Sequence, residues 1–143
     1  MGKALCVLLM LLLAVVSSFA QESKPAAAAA EYKIPPEAAK MVNPVKSTAA
    51  SIAQGKKMYE IDCEMCHGKD GDGKGDLAAD MKVKLVDYHD PAALKDRTDG
   101  ELFYIIKNGK GEMPSEGDRA KPDALWNLVN YVRSLAKKEP SGK

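Results

Sequence analysis

The stretch Cys63-Glu64-Met65-Cys66-His67 decides how the rest of the chain is read. Two thiols three residues apart, followed at once by an imidazole, form the attachment signature of a c-type haem. The spacing has a physical reason. At the end of a helix and in the turn after it, two sulfurs and an imidazole so spaced project to one side. Each thiol can add to one vinyl group of the porphyrin, which leaves His67 close enough to ligate the iron from one face. The rival chemistries want other surroundings. A thioredoxin-like thiol pair expects a βαβ context, and no strand pattern surrounds Cys63. A structural zinc site wants four ligands, and His89 is the only other histidine.

Working outward to the N-terminus, Lys3, the apolar run 4–16 and the small residues Ser18 and Ala20 read as a secretory leader cleaved before Gln21. The run is short for a membrane span, which needs about 20 apolar residues. Cys6 leaves with the leader, so two of the three cysteines remain. Export puts them in an oxidising, periplasmic compartment where a disulfide is the alternative; the histidine directly after Cys66 favours thioether links to haem. Lys3 also leaves, which balances the 21 basic residues against the 20 acidic ones. A nucleic-acid binder would show a basic excess, so none is expected as a partner.

The expected organisation is a signal peptide over 1–20, an Ala/Pro-rich arm or linker over 21–50, a haem domain over 51–138 and a tail over 139–143. In the arm, Pro25 precedes five alanines, and Pro35, Pro36 and Pro44 interrupt any long helix. A short helical turn fits Glu37–Met41. The first full helix is predicted over Ser51–Cys63, with Ser47, Thr48 and Ser51 as candidate caps. Ile52, Gly55, Tyr59 and Cys63 share one of its faces. Gly55 costs about 1 kcal/mol against Ala in mid-helix, which points to close approach by another backbone.

Gly68 to Asp76 reads as a loop. It is not an EF-hand, because counting from Asp70 puts Lys74 and Met81 where ligands are needed. It is not a dinucleotide fingerprint either, since no strand precedes it. Residues 77–89 carry mixed signals. Asp90-Pro91 predicts a short helix through Leu94. Thr98-Asp99-Gly100-Glu101 is a capping box opening a helix through about Lys107, stopped by Asn108-Gly109. The last helix is predicted from Pro122 to about Lys137, with Leu125, Leu128, Val129, Val132 and Leu135 as its apolar stripe. The fold class is all-α: no internal repeat and no convincing strand is visible.

The sixth iron ligand is the open chemical question. Met58 and Met65 adjoin the attachment site, and Met41 lies in the arm. Met81 and His89 are alternatives, more readily explained as packing and as a turn residue. Met113 stands in a Gly- and Pro-flanked loop between two helices, where the chain can swing to the opposite haem face. It is the expected second ligand, opposite His67.

Over 51–138 the chain resembles a class I c-type cytochrome, the small monohaem cytochrome c family. The resemblance is carried by Gly55-x3-Tyr59-x3-Cys63-x2-Cys66-His67-Gly68, by Asp99-Gly100-Glu101-Leu102-x3-Ile106-x2-Gly109-x3-Met113-Pro114, and by Leu125-Trp126-x2-Val129-x-Tyr131-Val132-Arg133-x-Leu135. It implies one covalent haem c on Cys63 and Cys66, and N- and C-terminal helices that cross. Gly55 would face Leu128 and Tyr131 at that crossing, with Tyr59 packed beside them. Related chains often carry proline shortly after the glycine loop, near the backbone that accepts the N–H of the ligating histidine; here Asp76 stands there.

The function so implied is a soluble periplasmic electron carrier of a respiratory chain. It would be a monomer rather than an enzyme, with iron held by His67 and Met113 and cycling between Fe(II) and Fe(III). Its donor and acceptor would be redox proteins. Lys69, Lys74, Lys107 and Lys110 either steer an acidic partner or form an ordinary solvated surface. The alternatives are a subunit of a membrane oxidoreductase complex docked through the arm, and an open-site haem enzyme or sensor should Met113 not ligate.

Overall fold

The computed structural model describes residues 32–136. The leader, Cys6, residues 21–31 of the arm and the tail from 137 onward lie outside the described residues. Within them the helices are α1 (Pro36–Ala39), α2 (Ala49–Asp62), α3 (Glu64–His67), α4 (Asp76–Asp80), α5 (Asp99–Asn108) and α6 (Pro122–Leu135). The architecture is all-α, as expected. The described residues contain no strand, only an isolated antiparallel bridge between Lys110 and Met113. No described helix is long and apolar enough to cross a membrane.

The fold is organised by the crossing of α2 and α6. Thr48 caps α2, its hydroxyl accepting from the Ser51 N–H at 3.2 Å, which satisfies one of the free amides of the first turn. A Cβ on Gly55 would collide with the Asn127 carbonyl oxygen and stand 2.8 Å from Tyr131 Cβ. The glycine is therefore what lets the two helices meet. Tyr59, Leu128 and Tyr131 are all buried there, and the two tyrosine rings pack edge to face with centroids 5.1 Å apart. The whole predicted stripe of α6, Leu125, Leu128, Val129, Val132 and Leu135, is buried. Helix α5 adds Leu102, Phe103 and Ile106 to the same core, with Phe103 stacked on Trp126 at 4.1 Å. Both bonds of its capping box form, Glu101 N–H to Thr98 Oγ1 at 3.2 Å and Thr98 N–H to Glu101 Oε2 at 2.8 Å.

Three segments differ from the sequence expectation. Residues 90–97 are successive turns rather than a helix. Asp90 does cap the Ala92 N–H at 2.8 Å, but the carbonyls of Leu94 and Arg97 accept from the Arg133 guanidinium, a partner on α6 that no local pattern reveals. Helix α4 appears within the segment of mixed signals. Its N-cap is Gly75, which offers no side-chain cap to read. Residues 32–48, expected as part of an arm, lie against the helical body. Asn43 donates to Asn130 Oδ1 at 2.9 Å, and Asn130 in turn donates to the Val45 carbonyl at 3.0 Å and to Ser51 Oγ at 2.8 Å. The predicted turn near Glu37 is α1, whose Ala38 is buried.

Candidate haem attachment site

Cys63 ends α2, its N–H donating to the Tyr59 carbonyl at 2.9 Å. The His67 N–H donates to the Cys63 carbonyl at 2.9 Å and the Gly68 N–H to Glu64 at 2.8 Å. The four residues of α3 thus put Cys66 and His67 one turn beyond Cys63, as the spacing demanded. The loop that follows folds back onto the motif. Gly73 N–H donates to the His67 carbonyl at 2.8 Å, and Gly75 N–H to the Cys66 carbonyl at 3.1 Å. The Tyr59 hydroxyl, coming from the helix crossing, donates to the Gly68 carbonyl at 2.7 Å. A Cβ on Gly75 would collide with the Met65 carbonyl oxygen and lie 2.6 Å from the Cys66 carbonyl carbon, so the loop closes against α3 only with glycine at that position.

The electrostatics suit a ligand site better than a redox thiol pair. Cys63 and Cys66 are both free and half-buried. Burial, seconded by the nearby carboxylates of Glu116 and Asp62, pushes the Cys63 thiol up to about 12. Catalytic thiols of disulfide exchange are shifted the other way. Burial also lowers the pKa of His67, which favours the neutral, metal-ligating imidazole. Its Nδ1 is buried with no hydrogen-bond partner. Among the described residues no cluster of three or more His, Cys, Asp or Glu side chains is placed to hold a metal ion, so zinc chemistry finds no support. Two free thiols and an imidazole that burial keeps neutral, on a single turn, fit a thioether-linked haem.

Met113 stands 46 residues after His67 but shares the packing of the attachment turn. Its N–H and carbonyl exchange hydrogen bonds with Lys110, both at 3.0 Å. The fold-back depends on Gly109, which takes φ +76° and whose Cβ would stand 3.0 Å from the Pro114 carbonyl carbon; only glycine occupies that left-handed region without strain. Met113 and Cys63 pack against the same apolar cluster, which includes Leu102 and Ile106. The alternative ligands are engaged otherwise. The His89 ring Nδ1 pairs with Asp87 Oδ1 at 2.9 Å. Met81 and Met65 are among the exposed large apolar side chains, and so is Met41. Met58 packs half-buried against the core. Of the four lysines, Lys74 stands 4.0 Å from Asp72 and Lys110 lies over the Tyr32 ring at 5.6 Å; all four are exposed.

One contact was not legible beforehand. Tyr88 stacks on the His67 ring, with centroids 5.2 Å apart and planes 20° apart. It comes from the segment whose periodicity matched neither helix nor strand, and a lone aromatic there gives no signal of its target.

The family profile described as "Cytochrome C oxidase, cbb3-type, subunit III" matches residues 50–132. The chain is 28% identical over 85 residues to a cytochrome c6 of Diacronema lutheri, covering 59% of this chain and 96% of that protein. It is 30% identical over 91 residues to the chloroplastic cytochrome c6 of Chlamydomonas reinhardtii, covering 60% of this chain but only 55% of that one. It is also 30% identical over 95 residues to the cbb3-type cytochrome c oxidase subunit CcoP of Azospirillum brasilense, covering 66% of this chain and 32% of that subunit. A chain of the reducing HAO-like protein complex of Kuenenia stuttgartiensis superposes with a TM-score of 0.56 at 27% identity, over 64% of this chain and 46% of that one.

Proposed function

The chain belongs to the c-type cytochromes, the family matched over residues 50–132, and from that premise we propose that it is a soluble, monomeric one-electron carrier of a periplasmic respiratory chain, with haem iron held between His67 and Met113. The family carries haem c covalently and serves electron transport. In this chain Cys63 and Cys66 take the thioether links. The haem supplies the Fe(II)/Fe(III) couple. The chain's own groups hold it: His67 offers a neutral imidazole, the apolar cluster keeps water away, and Met113 offers a thioether sulfur. His/Met ligation raises the potential relative to two histidines. A haem held by both His67 and Met113 would leave its iron no open site for a substrate, which is the reading of a carrier rather than an enzyme. Its donor and acceptor are other redox proteins.

The observation that carries the reading is the shared packing of Cys63 and Met113 against one apolar cluster. The test is the weak far-red charge-transfer band of Met-ligated ferric haem. It is expected in the purified protein at neutral pH, lost in Met113→Ala, and retained in Met81→Ala and His89→Ala. A band that survives Met113→Ala overturns the assignment. Its absence from the parent protein would favour the open-site reading instead.

A second reading rests on the coverage. The same domain fills only 32% of the CcoP subunit and 46% of the Kuenenia chain, so it occurs built into larger proteins, and docking on a membrane complex is consistent with that. Removing residues 21–31 leaves every described contact of 32–48 in place. Loss of co-purification with a membrane complex, with an unchanged haem spectrum, supports docking; unchanged co-purification removes it.

A further inference from the structure

The imidazole of a haem-ligating histidine needs its plane fixed, commonly by a hydrogen bond from its second nitrogen. In this chain that nitrogen, His67 Nδ1, is buried and has no partner. What meets the ring instead is a flat aromatic face, Tyr88, stacked at 5.2 Å and 20°. We propose that Tyr88 is the positioning residue for the iron-ligating His67: its ring sets the imidazole plane by stacking on its face, in place of a hydrogen-bond acceptor at Nδ1. The inference rests on His67 being an iron ligand, as proposed above.

Tyr88 is itself held on several sides. Its N–H donates to the Gly71 carbonyl at 2.8 Å. A Cβ on Gly71 would stand 2.7 Å from Leu135 Cδ1 and 3.2 Å from Tyr88 Cδ2, so the tyrosine ring and the end of α6 close together over a residue with no side chain. Leu135 is fully buried. On either side of Tyr88, Asp87 accepts from the backbone N–H of His89 at 2.9 Å, and its carbonyl accepts from Asp90 at 3.2 Å. The tyrosine therefore rides on a fixed turn and is wedged by the last helix. A ring so placed restricts rotation of the imidazole about its Cβ–Cγ bond. It also matters for charge. A hydrogen bond from Nδ1–H makes the imidazole a stronger donor, which favours ferric iron. Holding the ring in the orientation where Nδ1 is buried without a partner withholds that bond and holds the potential up.

The experiment compares the holoprotein with Tyr88→Phe and Tyr88→Leu, by midpoint potential and by the g-anisotropy of the ferric electron paramagnetic resonance spectrum, which reads ligand-plane orientation. Tyr88→Phe keeps the aromatic face and is expected to match the parent in both. Tyr88→Leu keeps apolar bulk but not the plane, and is expected to lower the potential and alter the g-values. If Tyr88→Leu does not accumulate, Tyr88→Met supplies the same comparison with a more adaptable side chain. Parent-like potential and g-values in the non-aromatic variant overturn the proposal, whatever its melting temperature. So does an equal shift in Tyr88→Phe, which would assign the effect to the hydroxyl. The far-red band, recorded alongside, separates this from the ligation reading: its absence from the parent counts against Met113, while its presence throughout with an unmoved potential counts against Tyr88 alone.

Discussion

Helix α2 serves two regions that are built on different principles. Its middle, from Ser51 to Tyr59, is held by burial: Gly55 admits the backbone of α6, and Tyr59 and Tyr131 close over it. Its end, with the turn of α3, is held mainly by backbone hydrogen bonds from the glycine loop to Cys66 and His67. The side chains there point elsewhere, Ile61 being 77% and Met65 64% exposed. The difference is instructive. Burial fixes the crossing by spending the side chains that meet there, Tyr59, Leu128 and Tyr131, on packing. At the attachment turn the backbone supplies the rigidity, so Cys63, Cys66 and His67 keep their reactive atoms unspent. Tyr59 belongs to both regions, packing its ring in one and giving its hydroxyl to Gly68 in the other.

That contrast can be broken most severely at the crossing. Gly55→Val forces a branched side chain into the Asn127 backbone, and overpacking of this kind costs about 3 kcal/mol; urea denaturation of the holoprotein should show it, and a near-parental midpoint would mean that the helices do not approach as described. Gly75→Ala should cost about 2 kcal/mol, with a second symptom that the crossing variant lacks: a smaller fraction of chain carrying thioether-linked haem, read from the haem-to-protein absorbance ratio. Tyr59→Phe removes one buried hydrogen bond and leaves the Gly68 carbonyl without it, a loss of about 1 kcal/mol; it sharpens the comparison if the melting temperature falls while the ring packing, monitored by near-ultraviolet circular dichroism, is kept. Ile61→Ser, on the exposed side of the same helix, should change stability by less than about 0.5 kcal/mol. A large loss there would mean that this end also depends on burial.

The regions differ as well in how far they could be read from the sequence. Of the crossing, the mid-helix glycine and the apolar stripe of α6 were visible in the residues themselves, and the resemblance implied that the two helices meet there. The cap of α2 at Thr48 and the capping box of α5 were visible because they are local. What escaped depends on partners distant in the chain. The turns at 90–97 are tied to α6 by Arg133, whose guanidinium donates to the carbonyls of Leu94 and Arg97. The seating of residues 32–48 follows Asn43 and Asn130, 87 positions apart. At the site, Cys63, Cys66 and His67 announced themselves because their chemistry needs them adjacent. Tyr88 did not, because a stacking partner obeys no spacing rule.

The crossing also sets an order of events. It joins Gln54 to Asn127, 73 positions apart, and everything between them, both thiols included, lies on the loop that this contact closes. A contact so distant forms only once α6 is there to dock, and closing such a loop is the slow step in chains of high contact order. Until then Cys63 and Cys66 sit on an open chain, reachable from any side. The helix pair that gives the finished protein its rigidity therefore also closes the one long loop on which the attachment turn and Met113 are both carried.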